Sequence, residues 1–530
     1  MSQENDWLKF SDQLLRYTDP DLWLDTSLMR LPEDLLESQN GVIKKSLEEM
    51  AAIEAGEKIN SDEDQEAGGR CVGHYWLRNP ELAPDDIGIS VQRKIAEIKA
   101  FSSGVHKGEI LNPSGEKFTN LLLIGIGGSA LGPQLAVDAL TDNTAPMNIH
   151  YFDNTDPDGM DRVLDKIGNS ISSTLTLVIS KSGGTKETRN GMLEAKSAYE
   201  QAGLDFGKHA IAVTGEKSKL EECATKENWI GVFPMEDWVG GRTSITSVVG
   251  LLPMALMGID IEKFLEGAAA IDLKTRPPEI NRNASLLMAL SWLHAGEAKG
   301  SKAMVILPYK DNLNLLSKYL QQLVMESLGK EFDRDGNQVH QGITVYGNKG
   351  STDQHAYVQQ LRDGINNFFV TFIEVRQSRS KDSIEVDPGF NTGDYLGGFL
   401  RGTRSALADA DRKSMTISIP IINAFYLGSL ISLFERSVSY YAALININAY
   451  HQPGVEAGKK AATEFLEILS KTEKFLADHL GEKLSTIQVA ENIQESEEVS
   501  FHALHHLAAN RKNIRAYIGQ VPNDDKFVKN

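Results

Sequence analysis

Short apolar runs that alternate with longer helical patterns constrain the fold of this chain most strongly. In the first half, such runs lie at residues 121–124, 149–152, 175–180 and 209–213. After a charged, proline-containing connector the pattern restarts, with runs at residues 303–307, 344–346 and 368–374. Strands that alternate with helices in this way form parallel sheets covered by helices on both faces. The sequence therefore predicts an α/β fold with two such sheets.

The length of 530 residues is too great for one hydrophobic core, which agrees with two α/β halves. We predict two α/β/α sandwich domains with parallel sheets, together with helical N- and C-terminal segments. The predicted boundaries are residues 1–114 for the N-terminal segment, 115–270 and 285–450 for the two domains, and 451–530 for the C-terminal segment.

Composition limits the partners and the compartment. The chain has 54 basic and 73 acidic residues, and its net charge of -19 disfavours binding to nucleic acid and to acidic membranes. Cys71 and Cys223 lie far apart, and the N-terminus lacks a signal-peptide pattern, so we expect a cytoplasmic protein. The most apolar stretch, residues 417–434, contains Pro420 and Asn423 and predicts a buried helix rather than a membrane span.

A glycine-rich loop, Gly125-Ile126-Gly127-Gly128-Ser129, follows the first strong strand and precedes a helical pattern. Glycines let the backbone approach a ligand closely, and the start of a helix offers unpaired amides to an anion. A dinucleotide-binding dehydrogenase remains an alternative here, because Asp153 after the next strand is placed like a ribose ligand. The loop alone therefore predicts an anion site, with Gly128 and Ser129 as its candidate contacts.

A second loop between a strand and a helix concentrates groups that bind phosphate. The hydroxyls of Ser180, Ser182 and Thr185 can donate to phosphate oxygens, and Lys181 adds positive charge. In a parallel sheet both loops lie at the same carboxyl edge, where ligands bind. The alternative is that Ser182 and Thr185 only cap the following helix, and it is less favoured because two such loops follow consecutive strands.

Two further segments place charged side chains in unusual positions. The helical pattern of residues 315–327 puts Glu326 where an apolar residue is expected, with Gln322 one turn earlier. Two glycines precede Arg242 and allow it to direct a permanently charged guanidinium into a pocket. A solvated glutamate and a surface arginine are the alternatives. A carboxylate can take a proton in a general-base step, and a cation can stabilise an anion that forms.

Three positions nearer the C-terminus complete the candidates. His355 lies just after a glycine-rich turn, where a histidine can move protons near neutral pH, although most single histidines are structural. Gln452 and Lys459 stand at the start of a helical pattern, in which a lysine is ordinarily a surface residue. A later helical pattern carries three histidines, His502, His505 and His506. No carboxylate accompanies them in the sequence, so we predict no metal site.

In chain order, these motifs resemble the glucose-6-phosphate isomerase family, which has the sugar-phosphate isomerase (SIS) fold, and the resemblance extends over residues 125–459. It implies reversible interconversion of D-glucose 6-phosphate and D-fructose 6-phosphate, in glycolysis and gluconeogenesis, without a cofactor. It also implies that Ser129, the hydroxyls of the second loop and Gln452 hold the phosphate. Ser182 and Thr243 depart from the family, which usually has threonine and an aromatic residue at these places.

The same resemblance implies the catalytic roles. Glu326 is the base, Arg242 stabilises a cis-enediolate, and His355 with Lys459 opens the sugar ring. The family is usually homodimeric with shared active sites, and the partner subunit is expected to donate His355. A phosphosugar-binding regulator without turnover remains the alternative, and Glu326 distinguishes the two because a binder does not need a base.

Overall fold

The structure is a computed structural model that describes residues 3–60, 69–84 and 86–530. Residues 1–2, 61–68 and 85 of the predicted N-terminal segment therefore lie outside the described residues. The chain divides into two compact units, Met1–His451 and Gln452–Asn530. The first unit contains both large sheets.

The first sheet consists of five parallel strands and confirms the predicted α/β class. Its spatial order is Asn148–Phe152, Asn120–Ile124, Thr174–Ser180, Ala210–Gly215 and Gly231–Met235. The three central strands are completely buried, which explains why they appear in the sequence as continuous apolar runs. The edge strand Gly231–Met235 was not predicted, because its Gly231 and Pro234 are unfavourable in strands.

The second sheet has six strands in the order Leu14–Thr18, Asp21–Asp25, Ser414–Ile419, Phe368–Val375, Ala303–Pro308 and Val345–Tyr346. The last four strands are parallel, as predicted for the second half. The first two form an antiparallel hairpin that pairs with Ser414–Ile419, so the N-terminal segment is not purely helical.

The apolar stretch at residues 417–434 is divided between two elements. Residues up to Ile419 end a strand, and the buried helix Ala424–Leu444 begins only after Pro420. This helix packs against helix Ile261–Thr275, where glycines allow very close approach: a Cβ atom at Gly267 would lie 1.8 Å from the Phe425 carbonyl oxygen. Among the described residues, no helix combines the length and apolar character needed to cross a membrane.

Helices cover the sheets of the first unit. Their bounds are Gln3–Asp12, Leu35–Ser38, Asn40–Glu54, Ile87–Lys107, Gly128–Leu140, Pro157–Ile167, Lys186–Gln201, Lys219–Lys226, Val248–Leu256, Ile261–Thr275, Ala284–Ala295, Leu316–Leu320, Val358–Asp363, Thr392–Asp409 and Ala424–Leu444. Small two-stranded sheets pair Lys330–Phe332 with Gln338–Gln341 and Glu385–Asp387 with Phe390–Asn391.

The second unit is mostly helical, as predicted for the C-terminal segment. Its helices are Pro453–Asp478, Thr486–Ile493 and Glu497–Asn510. They enclose a small apolar core with a three-stranded antiparallel sheet that the sequence pattern did not reveal. The strands of that sheet are Leu484–Ser485, Lys526–Lys529 and Ile514–Tyr517.

Candidate active site

The two predicted loops leave neighbouring strands of the first sheet. Strands Asn120–Ile124 and Thr174–Ser180 are paired in parallel, with Ile124 opposite Val178. The loops that follow them therefore lie side by side at the carboxyl edge of the sheet. Each loop leads into a helix, Gly128–Leu140 and Lys186–Gln201, so two positive helix ends meet at this edge.

The first loop is in close contact with two other parts of the site. Gly127 has a φ of +58°, a conformation that strongly favours glycine, and a Cβ atom there would lie 3.1 Å from Gln322 Nε2. A Cβ atom at Gly128 would lie 2.0 Å from the carbonyl oxygen of Gly241. Ser129 occupies the first turn of the helix. The glycines are therefore required so that the loop can contact both the Gln322 segment and the Arg242 segment.

The second loop presents hydroxyls that the protein itself uses little. The side-chain oxygen of Ser180 is buried and has no hydrogen-bond partner among the described residues. Thr185 is the residue before helix Lys186–Gln201, but its side chain caps no amide of that helix. Ser182 Oγ accepts a hydrogen bond of 3.2 Å from the Gly184 amide. The first-turn amides of this helix thus have no side-chain cap and can serve an anion.

Lys181 has a structural role in the same loop. Its Nζ atom donates to the carbonyl oxygens of Asp237 and Val239 at 2.8 and 3.0 Å. These two residues lie just before the Gly240-Gly241-Arg242 turn. Lys181 therefore ties the phosphate loop to the segment that carries Arg242, in addition to any electrostatic effect on a bound phosphate.

Arg242 is buried and holds a fixed position. Its guanidinium donates to Ser327 Oγ at 2.8 Å and to the carbonyl oxygens of Ala449, Tyr450 and His451. Its Nε atom lies 3.5 Å from Glu326 Oε2. Burial lowers the pKa of Arg242, while the Glu326 carboxylate opposes this shift. The arginine thus presents a positive charge beside the candidate base, in surroundings from which water is largely excluded.

Glu326 ends a π-helical turn, Gln321–Glu326, that continues helix Leu316–Leu320. The sequence pattern predicted a regular α-helix here, whereas the wider turn shifts the side chains that follow Leu320; such turns are frequent at functional sites. The side chain of Glu326 is 21% exposed, and its Oε2 atom is buried without a hydrogen-bond partner among the described residues. Oε2 is therefore paired with Arg242 by charge rather than by a hydrogen bond.

Two residues next to Glu326 were not identified from the sequence. Ser327 is buried and accepts from Arg242. Lys330 is also buried, and its Nζ atom donates to the carbonyl oxygens of Glu326 and Ser327, both at 2.8 Å. In the sequence, Lys330 stands out only as a lysine four residues after the candidate base, and this spacing does not predict a role.

His355 is exposed and ends a short helical turn, Thr352–His355, in a loop of the second sheet. This loop follows strand Val345–Tyr346 and is fixed to the end of strand Ala303–Pro308, where Gly350 N donates to Pro308 O. Lys349 also forms a 2.8 Å ion pair with Asp311. The structure therefore brings Arg242, Glu326, Gln322 and the first loop together, but it does not place His355 of the same chain with them.

The remaining candidates belong to the second unit. Gln452 precedes helix Pro453–Asp478, and Lys459 lies exposed on the second turn of that helix. Elsewhere in this unit, His505 Nε2 lies 2.9 Å from Asp525 Oδ2. The expectation that no carboxylate accompanies the three histidines was therefore wrong for His505, because Asp525 is distant in sequence. A single histidine–carboxylate pair is a structural contact rather than a metal site.

Comparisons with known proteins agree with one another. A family model described as phosphoglucose isomerase matches residues 27–389 and 404–484. Curated proteins named glucose-6-phosphate isomerase from Geobacter sp. (strain M21) and Nostoc sp. are 54% and 51% identical over 513 and 511 residues, in each case 96% of both chains. The crystal structure of a glucose-6-phosphate isomerase from Chlamydia trachomatis is similar with a TM-score of 0.78 at 26% identity, covering 88% of this chain and 92% of that one.

Proposed function

This chain belongs to the phosphoglucose isomerase family and is an aldose–ketose isomerase, and we propose that Glu326, Arg242, His355 and Lys459 carry out its reaction. The substrates are D-glucose 6-phosphate and D-fructose 6-phosphate. The observation that supports these roles best is that Glu326 lies 3.5 Å from the buried guanidinium of Arg242, beside the first phosphate loop.

The phosphate end of the sugar binds at the carboxyl edge of the first sheet. Ser129, Ser180, Ser182 and Thr185 offer hydroxyls there, and two helix N-termini supply positive potential. The unpartnered oxygen of Ser180 supports this assignment, because a buried hydroxyl without a partner is costly until a ligand satisfies it. Gln452 is a further proposed contact of the phosphate.

The isomerisation moves a proton between two adjacent carbons. The Glu326 carboxylate takes the proton from C2 of the open-chain aldose, and the electrons of the broken C–H bond form the C1–C2 double bond of a cis-enediolate. Arg242 stabilises the negative charge on the enediolate oxygens. The protonated Glu326 then returns the proton to C1, while a proton moves from O2 to O1. His355 and Lys459 open the ring by moving a proton between the ring oxygen and O1.

The position of His355 supports a shared active site in a homodimer. Lys349 of the His355 loop forms an ion pair with Asp311. The next residue, Asn312, donates to the carbonyl oxygen of Ala139 at the far end of helix Gly128–Leu140. Gln322 lies at the near end, beside Gly127. The twelve residue steps from Gly127 to Ala139 span about 18 Å at the rise of an α-helix. The anchor of the His355 loop and Gln322 thus lie at opposite ends of this helix, and His355 of the partner subunit would complete the site.

Two further assignments are proposals of the same kind. We place the boundaries of the two sandwich domains at residues 115–270 and 285–450, around the two sheets. We place the enzyme in the cytoplasm, because neither Cys71 nor Cys223 forms a disulfide and reducing compartments favour free thiols.

The variant Glu326→Gln tests the central role. It preserves the size of the side chain but removes the base, so we expect kcat to fall about 1,000-fold or more. Binding of fructose 6-phosphate, measured by calorimetry, should remain within a few-fold of the wild type, because the phosphate loops are unchanged.

The variant Glu331→Gln is the matched control, since Glu331 is exposed on the strand just after the site and should leave both quantities unchanged. Full activity of Glu326→Gln would contradict the proposed base. Phosphosugar binding by the wild type without isomerisation would instead favour the regulator. A requirement for added NAD would favour the dehydrogenase.

A further inference from the structure

Lys330 occupies an unusual position for a lysine. It begins strand Lys330–Phe332 directly after the turn that carries Glu326, and it is only 5% exposed. Burial of an ammonium group is costly unless hydrogen bonds compensate it. The Nζ atom donates to two main-chain oxygens, those of Glu326 and Ser327, at 2.8 Å each. The lysine is therefore used to hold backbone at the end of a helix.

The two carbonyls that Lys330 holds belong to the two residues that contact Arg242 through their side chains. Ser327 Oγ accepts from Arg242 Nη1 at 2.8 Å, and Glu326 Oε2 lies 3.5 Å from Arg242 Nε. One ammonium group thus fixes the backbone from which both contacts originate. A movement of this backbone would change the distance between the base and the cation.

Opposing effects act on the charge of Lys330. The last carbonyls of a helix carry partial negative charge, and a cation next to them is stabilising. Burial and, to a smaller extent, the charge of Arg242 lower the pKa of Lys330, the Glu326 carboxylate opposes them, and the net result is a pKa of about 7. A neutral residue would avoid the cost of placing a cation near Arg242. The site therefore uses the hydrogen bonds that Nζ donates to the two carbonyl oxygens.

We propose that Lys330 is a positioning residue of the isomerase, which sets the geometry of Glu326 relative to Arg242 and to C2 of the substrate by clamping the carbonyls of Glu326 and Ser327. Lys330 does not contact the substrate. The proposal depends on the role of Glu326 as the base, as proposed above. It predicts that loss of the clamp affects the chemical step more than substrate binding, because the phosphate loops do not depend on Lys330.

The variant Lys330→Met, which removes the donors but keeps much of the apolar stem, tests this inference. A misplacement of the base by about 1 Å costs about 100-fold in rate, so we expect kcat to fall by about that factor. KM should change by less than about threefold, since it reports binding when chemistry is slow. Lys330→Arg retains a buried cation with several donors and should recover most of the lost kcat.

Lys117→Met is the matched control, because it makes the same substitution outside the site. Lys117 also donates to a main-chain oxygen, that of His106, at 2.8 Å. It should leave kcat unchanged. If Lys330→Met does not fold, Lys330→Gln provides a neutral donor of smaller reach, and it should show the same selective loss of kcat in folded protein.

Three results would overturn the inference: wild-type kcat in folded Lys330→Met or Lys330→Gln, a rise in KM at constant kcat, or a loss of activity that equals the loss of folded protein. Failure of the proposed function is a separate outcome, because it requires Glu326→Gln to remain active, whatever Lys330 does.

Discussion

At the scale of single residues, Arg242 makes polar contacts with five partners in the site. Its guanidinium joins Ser327, three main-chain carbonyls and the Glu326 carboxylate. Lysine cannot reproduce this planar set of donors, so Arg242→Lys leaves buried carbonyls unsatisfied and displaces the charge. We expect kcat/KM to fall about 100-fold or more, as for the loss of a donor to a developing anion. Steady-state kinetics on folded protein measures this.

Arg404→Lys provides the comparison for Arg242→Lys. Arg404 also makes polar contacts with a carboxylate and a hydroxyl, those of Asp25 and Ser27, but it lies on the hairpin side of the second sheet. It should affect stability without changing the kcat/KM of the folded enzyme. Equal effects of the two substitutions would mean that Arg242 has only a structural role.

The sequence was informative about residues whose type is unusual for their position. Glu326 in an apolar stripe and Arg242 after two glycines both stand out, and the family resemblance connected them; the structure places them 3.5 Å apart. Lys330 could not be predicted, because its function depends on which carbonyls it reaches. Lys181 was expected to serve the phosphate, and its bonds to Asp237 and Val239 depend on a contact between distant segments.

At the scale of elements, a buried ionic cluster connects the helices behind the site. Arg78 donates to Asp272 at 2.7 and 3.0 Å and also to Glu435, and all three side chains are fully buried. Burial raises the pKa of Glu435 to about 7, although Arg78 opposes this shift. The pKa of Asp272 is lowered instead, because two arginines outweigh the effect of its burial. Glu435 is therefore the member of the cluster that gains a proton near neutral pH.

This assignment predicts a pH dependence of stability. Between the ordinary pKa of a glutamate and about 7, the folded protein holds a proton on Glu435 that the unfolded chain has lost. The free energy of unfolding contributed by this group therefore decreases as the pH rises through that window. Glu435→Gln cannot ionise, so the stability of the wild type relative to this variant should decline from about pH 5 to about pH 8.

Melting temperatures of both proteins across this pH range measure the effect. Glu194→Gln on the exposed side of helix Lys186–Gln201 is the control and should follow the wild type at every pH. A constant difference between wild type and Glu435→Gln would show that Glu435 does not titrate in this window.

Elements with a strong period were predictable, and elements defined by tertiary contacts were not. The central strands of both sheets appear as apolar runs because both of their faces are buried. The strand Ser414–Ile419 was missed because its apolar run continues, after Pro420, into that of the following helix. The hairpin of Leu14–Thr18 and Asp21–Asp25 obtains its place from pairing with residues almost 400 positions away, and no local pattern encodes such a partner.

At the scale of the whole molecule, the proposed active site needs two subunits. Glu326 and Arg242 lie beside the first sheet, whereas the His355 loop is fixed at the far end of helix Gly128–Leu140. The resemblance predicted such sharing, but the sequence alone could not show how far apart the two parts lie. The two parts are separated because residues 311–326 run antiparallel to that helix. Only the packing of the folded chain determines this course.

A mixture of two inactive variants, Glu326→Gln and His355→Ala, is the sharpest test of an active site shared between two subunits. If Glu326 of one subunit acts with His355 of the other, each mixed dimer has one site with both native residues. After unfolding and refolding of an equal mixture, about a quarter of the wild-type activity should return, because half of the dimers are mixed and one of their two sites is intact. If each subunit instead supplied both residues to its own site, every site in the mixture would carry one defect. The mixture would then remain as inactive as its parents, and that result would contradict the account.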